Sequence, residues 1–81
     1  MTKTEIFEIL TNILKNDIQV QKEIEYSTAL LGTQILDSLD FMNYVTIVEE
    51  KFEISISDDD ISNFKLGIIE NMINYIVEKG N

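Results

Sequence analysis

Apolar residues recur at helical spacing along most of this chain, and few residues interrupt them. Proline is absent, and glycine occurs three times in 81 residues. Because proline and glycine most often mark tight turns, their scarcity favours helices over a sheet of many short strands. Apolar residues make up 44% of the sequence, enough for one small hydrophobic core. We therefore expect an all-α fold in a single domain spanning residues 1–81.

The first and last helices are predicted from stripes of apolar residues. Over residues 5–15 the apolar positions fall three and four apart, as on one face of an amphipathic helix. Thr2 and Glu5 have the spacing of a capping box at its start. The same apolar spacing predicts the last helix over about residues 66–79, which Gly80 can end.

A second amphipathic helix is predicted over residues 38–52. Its inward stripe comprises Phe41, Tyr44, Val45, Val48 and Phe52. Asp37, Ser38 and Asp40 lie at its start, where capping side chains and negative charge stabilise a helix. Ser57 can cap a short third helix that begins with three aspartates.

Residues 17–37 carry no sustained periodicity and are predicted to form a long loop, with room for a short helical turn. The anchors expected to hold it to the core are Tyr26, Leu30, Leu31, Ile35 and Leu36. A loop of this length is uncommon in a compact domain and is often functional. The predicted fold is a small four-helix bundle of three main helices plus one short helix, with this long loop between the first and second helices.

Missing residue types exclude several kinds of site. The chain has no cysteine and no histidine, so it cannot form disulfides, Cys- or His-ligated metal sites, or catalytic groups that need either residue. The glycines do not form a phosphate-binding loop, and nothing in the sequence places the plentiful carboxylates around a pocket. We therefore expect no enzymatic activity and no bound metal.

The net charge of −9 bears on partners and compartment. Binding nucleic acid needs clustered Lys and Arg, so nucleic acid is not expected as a partner. No stretch approaches the roughly 20 apolar residues that span a bilayer, and the first residues lack the pattern of a signal peptide. We expect a cytoplasmic protein that does not bind membranes and whose partners are basic proteins.

Residues 37–60, the acidic segment, carry eight acidic residues and one lysine. Such concentrated like charge costs stability, which favours a docking role over solubility alone. Asp58 could open a calcium-binding loop, but that loop needs glycine at its sixth position and glutamate at its twelfth. Asn63 and Ile69 stand there, so helix capping is the expected role of the three aspartates.

Ser38 lies where the long loop meets the acidic second helix. One interpretation is that Ser38 or Asp37 simply caps the helix. The other is that Ser38 is modified, because a phosphoryl group at a helix N-terminus meets free backbone N–H groups and a favourable dipole. No histidine or lysine lies beside Ser38 in sequence to activate its hydroxyl, so another enzyme would have to perform the modification.

The motifs around Ser38 resemble those of the acyl carrier protein family. Residues 35–41 read Ile-Leu-Asp-Ser-Leu-Asp-Phe, and residues 48–56 read Val-Glu-Glu-Lys-Phe-Glu-Ile-Ser-Ile. The similarity extends over nearly the whole chain, including the apolar helix that closes it. The resemblance implies that Ser38 carries 4′-phosphopantetheine, which a Mg²⁺-dependent phosphopantetheinyl transferase moves from coenzyme A.

The resemblance also implies roles for neighbouring residues. Asp37 and Leu39 flank the attachment point and would serve the transferase. The partner-facing positions of the second helix would be Asp40, Val45, Glu49 and Glu50. The implied partners are acyl-transferring, ketosynthase or ligase-type enzymes with basic patches, and the implied state is a monomer. Acyl chains can insert between the helices of such carriers, so the aromatic residues here could limit the length of the chain.

Several departures leave the pathway open between fatty acid, polyketide and related biosynthesis. Asn43 stands where relatives often have glutamate, Thr46 where they often have methionine, and Ser57 where fatty-acid carriers usually have proline. Leu36-Asp37-Ser38 is also similar to D-alanyl and peptidyl carrier proteins. The alternatives are therefore an aminoacyl carrier, an unmodified acidic helical adaptor, or a degenerate carrier kept as a structural subunit.

The charge of the acidic segment predicts a response to salt. Added NaCl or millimolar Mg²⁺ should raise the melting temperature, because either screens repulsion among the carboxylates of residues 37–60. Thermal unfolding followed by circular dichroism over a salt series measures this. A melting temperature that stays flat or falls would contradict the repulsion.

Overall fold

The computed structural model describes residues 1–80 and confirms the all-α prediction. Its helices are α1 (Lys3–Asn12), which continues as a π-helical turn over Ile13–Asp17, α2 (Ser38–Phe52), α3 (Asp58–Asn63) and α4 (Ile69–Gly80). Within this described part there is no β-strand, only an isolated bridge between Ala29 and Ile68. None of the described helices is long and apolar enough to cross a membrane.

The start of α1 is fixed by the predicted capping box. Thr2 Oγ1 accepts a hydrogen bond from the Glu5 amide at 3.1 Å, and the Thr2 amide donates to Glu5 Oε1 at 2.9 Å. The predicted α-helix ends in a wider π-helical turn, in which the Ile18 amide donates to the carbonyl of Ile13, five residues earlier. The apolar face is buried as expected, and its buried residues are Ile6, Leu10, Ile13 and Leu14.

The boundaries of α2 are those predicted from sequence. Asp37 Oδ1 accepts a hydrogen bond from the Asp40 amide at 2.8 Å, which caps the N-terminus. Glu53 ends the helix in the left-handed region, with a φ of 54°. The buried residues of its apolar stripe are Phe41, Tyr44, Val45 and Val48, whereas Phe52 is half-buried.

The long loop is attached to the start of α4 by backbone hydrogen bonds. The Leu30 amide donates to the Gly67 carbonyl at 2.7 Å. The Ile69 and Glu70 amides donate to carbonyls of the loop, at 3.0 and 2.9 Å. Those carbonyls cap α4, which therefore begins at Ile69 and not near residue 66 as predicted. Leu66 is still buried, but in the turn that precedes the helix.

The loop anchors are partly those predicted. Leu30 and Leu36 are buried, but Tyr26 and Leu31 are exposed, which contradicts the prediction for these two. The ring of Tyr26 stacks on that of Phe7 with centroids 4.4 Å apart, outside the core. Ile24, which the sequence analysis did not single out, is buried instead.

The short helix α3 lies between α2 and α4 in sequence and has no fully buried residue. Ser57 Oγ accepts from the Asp60 amide at 3.1 Å, which confirms Ser57 as its cap. The phenol of Tyr75 donates to Asp60 Oδ2 and so joins α4 to α3. These polar contacts hold α3 in place together with Ile61, which is half-buried against the core.

Glu49 of α2 holds the segment between α2 and α3 through a side-chain hydrogen bond. Its Oε2 accepts a hydrogen bond from the Ile56 amide at 2.8 Å, at a partly buried site. Glu49→Ala should lower the free energy of unfolding by about 1 kcal/mol, because the Ile56 amide loses its acceptor. Urea denaturation of both proteins measures the difference.

Glu50→Ala is the matched control, since it removes the same charge from the next position, where the side chain is exposed. Its unfolding midpoint should stay close to that of the wild type or rise slightly. Equal midpoints for the two variants would show that the hydrogen bond from Ile56 contributes nothing.

Candidate functional site

Ser38 is the first residue of α2 and is exposed. The carboxylate of Asp37 occupies the capping position, so the hydroxyl of Ser38 is not needed to cap the helix. Leu39 follows it with 71% of its surface exposed, although it is apolar. The local sequence therefore presents a free hydroxyl and an apolar side chain together at the tip of a helix.

A shallow groove of about 240 Å³ opens beside Ser38. It lies between the first turns of α2, helix α3 and the end of the long loop, and its lining residues are Leu31, Ser38, Phe41, Met42, Asp58 and Ile61. Four of these six side chains are apolar, and Asp58 provides a charged group. A mainly apolar group tethered to Ser38 could therefore lie in this groove.

The sequence analysis did not assign Met42 to the site, although a signal was present. Met42 is four residues after Ser38, so both lie on the same face of α2. Its side chain is 43% exposed, which is high for a large apolar residue. Leu31, predicted as a core anchor, also lines the groove.

The core behind the groove contains a buried phenol. Phe41 lines the groove, and the centroid of its ring is 5.8 Å from that of Tyr44. Tyr44 is fully buried, and within the described residues its hydroxyl has no hydrogen-bond partner. Burial raises the pKa of Tyr44, so the phenol stays protonated.

The residues predicted to face partners do not all do so. Glu50 is exposed, and Asp40 and Glu49 are half-buried. The expectation that Val45 faces partners is wrong, because only 2% of its surface is exposed. Val45 belongs to the inward stripe that the apolar spacing had indicated, four residues after Phe41. Glu49 also has a structural contact, since it accepts the hydrogen bond from Ile56.

The carboxylates near Ser38 are spread over the surface of α2 and α3. Across residues 1–80 no three acidic side chains lie in an arrangement that could hold a metal ion. The three aspartates occupy the first turn of α3, where negative charge interacts favourably with the helix dipole. Their charge and that of Asp37 and Asp40 leave the surroundings of Ser38 strongly negative.

Known proteins with similar sequences were compared with this chain. No family model matches it. It is 35% identical over 66 residues to an acyl carrier protein of Coprothermobacter proteolyticus, covering 80% of each chain. It is also 35% identical over 74 residues to an acyl carrier protein of Buchnera aphidicola, covering 91% of this chain and 87% of that relative.

A third relative matches along its whole length. An acyl carrier protein of Chlorobium phaeovibrioides is 30% identical over 80 residues, covering 98% of this chain and all of the relative. The helical fold of residues 1–80 is consistent with these similarities. This chain therefore belongs to the acyl carrier protein family.

Proposed function

We propose that this chain is a single carrier domain, residues 1–81, whose Ser38 oxygen bears 4′-phosphopantetheine and which presents acyl groups to biosynthetic enzymes. The observation that carries this proposal is the exposed hydroxyl of Ser38 at the N-terminus of α2. Membership of the acyl carrier protein family supports it. The chain supplies an attachment point and a docking surface, and its partners supply the catalysis.

Loading of Ser38 is a phosphoryl transfer carried out by a transferase. The Ser38 oxygen attacks the phosphorus of coenzyme A that bears pantetheine. A bond from oxygen to phosphorus forms, the pyrophosphate bond to that phosphorus breaks, and 3′,5′-ADP leaves. A base of the transferase takes the proton of Ser38, and Mg²⁺ held by the transferase offsets the charge of the leaving group. Asp37 and Leu39, both exposed beside Ser38, are the residues of this chain placed to contact the transferase.

The site accommodates such a group at its solvent side. Ser38 is exposed, so a phosphate attached there keeps its hydration. The carboxylate of Asp58, which lines the groove, disfavours a second anion inside it. The phosphate therefore stays in water, and the apolar part of the groove is left for the acyl group.

The attached group supplies a thiol that holds acyl groups as thioesters, which a cysteine-free chain cannot do by itself. Tethering gives the acyl group a high effective concentration at each enzyme that binds the carrier. The same carrier can then serve successive enzymes if each complex forms and dissociates quickly.

Docking is assigned to the exposed part of the acidic segment. The exposed Asp37 and Glu50, together with the half-buried Asp40, provide charge, and Leu39 and Met42 provide apolar contact beside Ser38. Such a surface fits basic patches on the transferase and on acyl-transferring, ketosynthase or ligase-type enzymes, because opposite charges speed association. Fatty acid or polyketide biosynthesis is the proposed setting, and a D-alanyl or peptidyl carrier is the alternative.

Ser38→Ala tests the attachment site. Incubated with coenzyme A, Mg²⁺ and a transferase of broad specificity, the wild type should gain the mass of one arm, and Ser38→Ala should gain none. Ser55→Ala is the matched control, since Ser55 is also exposed but lies after α2. It should be loaded like the wild type. Intact-mass spectrometry measures all three, and loading of Ser38→Ala would refute the assignment.

Glu50→Gln tests docking through the acidic segment. The kcat/KM of the transferase for this carrier should fall roughly twofold to fivefold, the size of one exposed ion pair. The deficit should shrink as NaCl is added, because salt screens the attraction. Glu8→Gln removes the same charge from an exposed position of α1 and should leave kcat/KM unchanged. Equal losses in both variants would indicate attraction by net charge alone.

A further inference from the structure

The hydroxyl of Tyr44 lies in the core without a partner. Tyr44 is 0% exposed, and its oxygen is one of two buried side-chain oxygens in residues 1–80 that make no hydrogen bond. Buried tyrosine hydroxyls usually find a partner, because an unpaired polar group in an apolar core is costly. A phenylalanine would fill the same space without this cost. The presence of this hydroxyl, despite its cost in stability, indicates a functional role.

The ring of Tyr44 is one aromatic ring away from the groove at Ser38. The groove reaches Phe41, and the rings of Phe41 and Tyr44 are inclined at 45° with centroids 5.8 Å apart. Phe41 is the one aromatic residue that lines the groove, and its ring packs against that of Tyr44. The rest of the lining beside Phe41 includes Leu31 and Ile61, so the route from the groove into the core is apolar.

The chemistry of the site limits what could bind there. Because burial keeps Tyr44 protonated, its phenol can donate one hydrogen bond and also accept one. Hydroxyl and carbonyl oxygens both satisfy such a group. A charged ligand does not fit, because no charged side chain of the described residues is buried to pair with it.

We infer that Tyr44 is a hydrogen-bonding site for a short, neutral acyl group that carries a hydroxyl or carbonyl oxygen in addition to its thioester carbonyl and enters the core from the groove beside Ser38. This inference rests on the function proposed above. A plain hydrocarbon chain would leave the phenol unpaired, so the site distinguishes oxygen-bearing acyl groups from saturated ones. The groove of about 240 Å³ suits a short group, since a longer one would have to displace more of the packed core.

Two acyl groups of equal chain length, one with a hydroxyl and one without, test the inference. Coenzyme A analogues with a stable amide in place of the thioester, bearing a 3-hydroxybutanoyl or a butanoyl group, are attached to the wild type and to Tyr44→Phe. Intact mass establishes loading, and circular dichroism gives each melting temperature. In the wild type the hydroxylated load should raise the melting temperature more than butanoyl, by roughly 3–8 °C, as expected for one additional hydrogen bond in a small domain.

In Tyr44→Phe this difference between the two loads should disappear. Tyr26→Phe, which removes an exposed phenol, should keep it. Nuclear Overhauser contacts between a ¹³C-labelled hydroxybutanoyl group and the Tyr44 ring provide a second measurement. The role of Tyr44 is overturned if the two loads shift the melting temperature of the wild type equally, or if their difference persists in Tyr44→Phe. Either result leaves the proposed carrier function intact. A wild type that accepts no arm overturns the proposed function as well.

Discussion

Asp37 accepts a hydrogen bond from the Asp40 amide at 2.8 Å, and this contact fixes which residue begins α2. Because Asp37 is the cap, Ser38 takes the first helical position with an exposed side chain. The helical period then determines the rest of the site. Phe41 turns inward beside the groove, and Met42 lies outside on the same face as Ser38.

Backbone hydrogen bonds between the long loop and the start of α4 supplement the packing of the core. The long loop has no regular structure, yet its carbonyls cap α4 and its Leu30 amide donates to Gly67. These hydrogen bonds hold the loop against α4, and Leu31 of the loop lines the groove. The long loop therefore contributes to the site, because Leu31 of the loop and Ser38 of α2 both line the groove.

The sequence predicted those features that depend on local spacing. The bounds of α2, the capping box at Thr2 and the cap at Ser57 follow from residue types a few positions apart. The start of α4 and the exposure of Tyr26 could not be predicted, because each depends on a contact with a distant segment. Val45 shows that the periodicity of apolar residues was a better guide to burial than the family resemblance. The groove could not be predicted either, because it forms only where α2, α3 and the long loop meet in three dimensions.

Helix α2 combines two surfaces with opposite requirements. Its outer surface carries unpaired acidic charge, which speeds association with basic partners at some cost in stability. Its inner surface is almost wholly apolar, and Tyr44 is its one polar departure, placed next to the aromatic ring that lines the groove. The exposed charge of this outer surface does not select among neutral acyl groups, because it lies outside the core that the group enters. In the proposed carrier, any selectivity for the acyl group must therefore come from the interior, where a single hydroxyl is enough to favour an oxygen-bearing load.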